Sequence, residues 1–87
     1  MVSIETIQRS FDNFVDEASK KNGKGMSDIK LSKYLREIEL FSKLFKEKAF
    51  VKEAEKLEWV YKLLKNKRVF DSSILKKLKE ILVSISK

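Results

Sequence analysis

No cysteine, histidine or proline occurs in this sequence of 87 residues, and its two glycines, Gly23 and Gly25, sit in one short segment. Without cysteine there is no disulfide, no thiolate metal site and no thiol nucleophile. Without histidine the chain lacks the commonest general base, the commonest zinc ligand and the usual switch near neutral pH. So few breakers among 38% charged residues predict a nearly all-helical fold. Uncharged runs are only a few residues long, so no membrane insertion is expected. The opening MVSIETIQRSF carries an acid and no apolar run of signal-peptide type, which points to a cytoplasm-like compartment. The length suits a single domain over residues 1–87, one that buries roughly 60–65% of its unfolded surface.

What the chain has in excess is lysine. The net charge is +7, and seventeen of the twenty basic residues are lysine. Residues 1–42 balance seven basic groups against seven acids, so the whole surplus lies in residues 43–87. A one-sided basic balance speeds encounter with acidic partners such as nucleic acid, anionic lipid or acidic protein tails. It also serves plain solubility. The scarcity of arginine argues against bidentate readout of guanine or phosphate.

Apolar spacing predicts four to five helices. The first runs from about Ile4 to Ser19, capped by Ser3, with Ile4, Ile7, Phe11, Phe14, Val15 and Ala18 on one stripe. Asn22 and Gly23 end it. The second begins after the cap Ser27, with Met26 and Leu31 placed for a hydrophobic staple, and continues through Tyr34, Leu35 and Ile38. A break near Phe41–Ser42 is expected, with Leu40, Phe41, Leu44 and Phe45 turned inward. The third starts between Lys46 and Glu53 and ends near Lys65, with Ala54, Leu57, Val60, Tyr61 and Leu64 inside. The fourth follows the cap Asp71 and carries Ile74, Leu75, Leu78, Ile81, Leu82 and Ile85.

Met26, Ser27, Leu31, Tyr34 and Ile38 match Phe70, Asp71, Leu75, Leu78 and Leu82 at an offset of 44 residues. Two helix–turn–helix units so related have the layout of an EF-hand pair. Met26 and Phe70 would then lie in one very short two-stranded pairing. The calcium chemistry is missing. With those residues at loop position eight, positions one, three, five and twelve hold Ser19, Lys21, Gly23 and Lys30, then Leu63, Lys65, Lys67 and Ile74. Neither set contains a carboxylate and both contain lysine, so no calcium site, and no cofactor of any kind, is expected.

Three stretches carry a family resemblance: IQRSFDNF (Ile7 to Phe14), GKGMSDIKLSKYLREIEL (Gly23 to Leu40) and LEWVYKLLKNKRVFDSSILKKLKEIL (Leu57 to Leu82). Together they resemble the core domain of the tubulin polymerization-promoting protein family over about residues 4–85. The resemblance implies an EF-hand-like, calcium-independent helical fold, a tubulin- or microtubule-bound module that promotes polymerization or bundling, and a cytoskeletal location that extends to cilia and flagella. Two departures stand out. The family pattern continues into a glycine- and lysine-rich tail, whereas this sequence stops at Lys87. Lys43 to Glu53 also lacks the family's polar loop and threonine-type cap. If the tail grips microtubules, this chain alone binds weakly or not at all.

The partner expected first is tubulin or another acidic protein surface. The residues assigned to it are Lys62, Lys65, Lys67 and Arg68 around the second turn and Lys76, Lys77 and Lys79 on the last helix. Lys43, Lys46 and Lys48 form a second group. Nucleic acid is the alternative, allowed by the sequence pI of 9.7, with Trp59, Tyr34 and Tyr61 available to stack on bases. A protein-interaction adaptor is a third reading, built on Phe41, Phe45, Phe50 and Trp59 as apolar groups left over from the core. No enzyme is expected. Asp16 with Glu17, and Glu53 with Glu55, are adjacent or near-adjacent carboxylates on solvated helix faces, and nothing else marks them as an acid/base pair.

Overall fold

A computed structural model describes residues 3–86. Met1 and Val2 of the opening segment, and Lys87 of the basic half, lie outside them. Four helices follow one another: α1 (Ile4–Lys20), α2 (Asp28–Glu47), α3 (Val51–Lys67) and α4 (Ser72–Ile85). Three start where the sequence supplies an oxygen acceptor. The Ser3 side chain accepts from the Thr6 N–H, Ser27 from Lys30 and Asp71 from Ile74. Each satisfies a donor that the first turn leaves without an intrahelical partner.

The break expected near Phe41–Ser42 does not occur. Leu31, Tyr34, Ile38, Phe41, Ser42 and Phe45 are all buried on one continuous stripe of α2. At 20 residues this helix is about 30 Å long, most of the molecule's 33 Å extent. It stops at a Schellman turn. The Phe50 N–H donates to the Phe45 carbonyl (2.8 Å) and the Ala49 N–H to the Lys46 carbonyl (3.1 Å), with Ala49 left-handed at φ 65°. The accompanying apolar contact is made by the Phe45 and Phe50 rings, 6.1 Å apart. Glycine normally occupies that position, so alanine hides the stop from a reader of the sequence. α3 then starts at Val51 with no side-chain cap, and it ends at a left-handed Arg68 whose N–H donates to the Leu64 carbonyl.

Packing order differs from chain order. α2 lies on α3, α3 on α4, and α4 on α1, whereas the backbones of α1 and α2 stand further apart and meet through their side chains. The first and last helices run antiparallel: the Gln8 side chain near the start of α1 donates to the Ile85 carbonyl at the end of α4. Between them runs one core. Its rings form a connected path, with Phe45 and Phe41 5.3 and 5.1 Å from Phe11. Phe14 lies 6.2 Å from Tyr34, and Tyr34 5.2 Å from Phe70. Edge-to-face pairs of this kind add to burial alone. Two residues expected inside are exposed: Ile4 at the first turn of α1, and Leu40, which sits beside the stripe of α2.

The turn between α1 and α2 touches the turn between α3 and α4. The Gly23 N–H donates to the Phe70 carbonyl (3.0 Å), and bridges join Asn22 with Phe70 and Gly25 with Val69. The pairing therefore involves Gly25 where Met26 was expected. Met26 instead leans into the core, half-buried, while Phe70 is wholly buried. Gly23 has φ +77°, a conformation that L side chains avoid, and this turns its N–H toward Phe70.

Candidate functional site

Helical spacing decides where the basic residues go. On α2, Glu39, Ser42, Lys43 and Lys46 recur at three and four residues, and on α3 so do Glu58, Tyr61, Lys62 and Lys65. The antiparallel packing of these helices sets the two rows side by side around a groove of about 550 Å³, with Ile38 at its floor. Four lysines thus face two carboxylates, and one of these, Glu58, is ion-paired. Lys46 Nζ donates to Glu58 Oε1 at 2.7 Å, which holds Glu58 below the usual carboxylate range. Glu39 lies beside the Tyr61 hydroxyl and pushes that phenol up. Among the described residues only Lys46 of the four is ion-paired.

Other residues of the expected set serve the fold. Lys67 Nζ binds Asp71 Oδ2 at 2.6 Å, and Asp71 also accepts from the Ile74 N–H and the Ser73 hydroxyl. Those three donors, Lys67 foremost, hold its carboxyl down at about 2. Arg68 pairs with Asp28, which ties the second turn to the first residue of α2. Lys48 is half-buried at the end of α2. Lys76 and Lys79 stand apart from all of these on the outer side of α4, in a broad depression that also takes in Lys56 and Val83. Lys77 lies over the Trp59 ring and pairs with Glu80.

One acidic cluster was not anticipated. The Tyr34 hydroxyl donates to Glu17 Oε1 at 3.0 Å. Burial first, and then that carboxylate, push Tyr34 up to about 12. Glu37 stands nearby, raised by its own burial. Glu17 and Glu37 edge a cavity of about 420 Å³ between α1 and α2, floored by Phe14 and Phe41. A tyrosine on an otherwise apolar helix stripe was the available signal, since a buried phenol needs an acceptor.

Several expectations do not survive the geometry. Phe41 and Phe45 are core, and Phe50 packs against it, so the adaptor surface is reduced to Trp59. Tyr34 is 2% exposed and has no free face for a nucleobase. Leu63, Lys65 and Lys67, set at calcium-loop positions by the sequence register, lie inside α3, and Ile74 is buried in α4. A continuous helix cannot wrap them round an ion. Among the described residues no three acidic side chains converge as a metal cluster would need, and no helix is long and apolar enough to cross a membrane.

No family model, no characterised protein and no solved structure matches this chain.

Proposed function

We propose that this chain is a non-enzymatic docking module for acidic protein surfaces, with the acidic tails of tubulin as its partner and the cytoskeleton, ciliary or flagellar microtubules included, as its place of action. The observation that carries the reading is the groove between α2 and α3, where Lys43, Lys46, Lys62 and Lys65 converge and outnumber its two carboxylates, one of them already paired with Lys46. An extended acidic segment laid there meets several ammonium groups at once. Each exposed pair contributes about 1 kcal/mol or less, so attraction is weak singly, additive in encounter and steeply reduced by salt. The tubulin assignment draws on the sequence resemblance. The contact between the two helix–turn–helix units at Gly23 and Phe70 supports an EF-hand-like scaffold that holds its shape without calcium.

Co-sedimentation with microtubules tests the reading. Pelleting is expected at low salt, with loss at raised salt and on microtubules stripped of their acidic tails. Lys62→Glu with Lys65→Glu should lower the bound fraction by about tenfold. No pelleting at low salt rules out direct binding by this chain.

A further inference from the structure

The flank of α3 away from that groove has a different chemistry. Val51, Lys52, Glu55, Lys56 and Trp59 follow one another at helical spacing along it, and α4 contributes Lys76, Lys77, Lys79 and Val83 beside it. Trp59 is 45% exposed, Val51 53% and Val83 58%. Apolar groups are exposed elsewhere too, Ile29 and Leu40 among them, but on this face they stand singly among lysines. Lys77 Nζ is held 5.4 Å from the Trp59 ring centroid. Five lysines face two acids, and Glu80 is already paired with Lys77 at 3.2 Å.

We infer that this α3–α4 face docks on an anionic lipid surface, lying on the headgroups without spanning the bilayer. Charge complementarity selects the sign of the partner. The distribution of apolar groups selects its kind. A docked helix or peptide fills a continuous apolar groove, whereas here the depressions are shallow and the apolar tips are separated by ammonium groups. An interface accepts that pattern: an indole sits at headgroup depth with its N–H wet. Lysines bury their stems and keep their charges among phosphates and carboxylates. Juxtaposed basic groups are each drawn to such a surface within a Debye length. The inference does not depend on tubulin binding, which uses the opposite flank of α3.

Trp59 is the chain's one tryptophan, so its emission reports on this face alone. The full chain is titrated with vesicles of phosphatidylserine and phosphatidylcholine. A blue shift, with quenching by brominated lipid, is expected, and phosphatidylcholine alone should give neither. Lys76→Glu with Lys79→Glu should lower partitioning about tenfold or more at unchanged helical circular dichroism, while Lys62→Glu with Lys65→Glu should leave it in place. Unshifted emission with the anionic vesicles overturns the inference. So does vesicle binding that the α4 pair does not weaken, or a shift produced by polyglutamate and not by vesicles.

Discussion

Asp71 shows how much one side chain can do in so small a domain. It caps α4, accepts from three donors and holds the last residue of α3, Lys67, at 2.6 Å. Asp71→Ala should cost about 1 kcal/mol, and Asp71→Asn, which keeps the cap acceptor, noticeably less. Thermal unfolding followed by circular dichroism measures both. The sign with pH follows from the depressed carboxyl. Its contribution is complete above the unfolded value of about 3.9 and is lost as pH falls toward about 2, its folded value. The Asp71→Ala variant should therefore show a flatter acid limb than the wild type. This residue was legible in the sequence, because an acid before an amphipathic run is a recognisable start. Its partnership with Lys67 was not, because the end of α3 lay two residues beyond the expected Lys65.

At the scale of elements, the informative case is the link between α2 and α3. Three helix starts were readable from Ser3, Ser27 and Asp71, since capping chemistry is local. The stop at Ala49 was not, because an alanine stands in the left-handed position where glycine would mark such a turn, with the Phe45 and Phe50 rings closing over it. Ala49→Gly should relieve that conformation and raise stability by about 0.5–1 kcal/mol, read as a higher midpoint in urea with unchanged slope. The lysine groove between α2 and α3 was hidden for a different reason, because it exists only once the two helices pack. Lys43, Lys46, Lys62 and Lys65 were each singled out, but in separate groups. Only the antiparallel packing, registered by the Lys46–Glu58 pair, brings them together.

The whole molecule is held by contacts between segments distant in sequence. The turns meet through Gly23 and Phe70, and α1 lies on α4. Neither helix pair encloses a core of its own: Phe14 and Tyr34 of the first lie against Phe70 of the second, so each half alone would expose part of its apolar face to water. Fragments 1–49 and 50–87 should each show little helix by circular dichroism and regain it together on mixing. A cooperative thermal transition in either fragment alone would contradict a single shared core. The matching of the two halves in sequence did foretell the meeting of the turns. It could not fix which backbone atoms meet there, since that depends on the positive φ of Gly23.

The antiparallel docking of α1 on α4, fastened near one pole by Gln8 and the Ile85 carbonyl, has a mechanical corollary. Anything joined to the two ends of the folded chain emerges side by side. Tension along such attachments would peel the outer helices apart one turn at a time, the soft direction for a helical hairpin, and would not shear the whole contact at once. Under load the domain would behave as a clasp that opens at its free ends, while the joined turns at the far pole let go last.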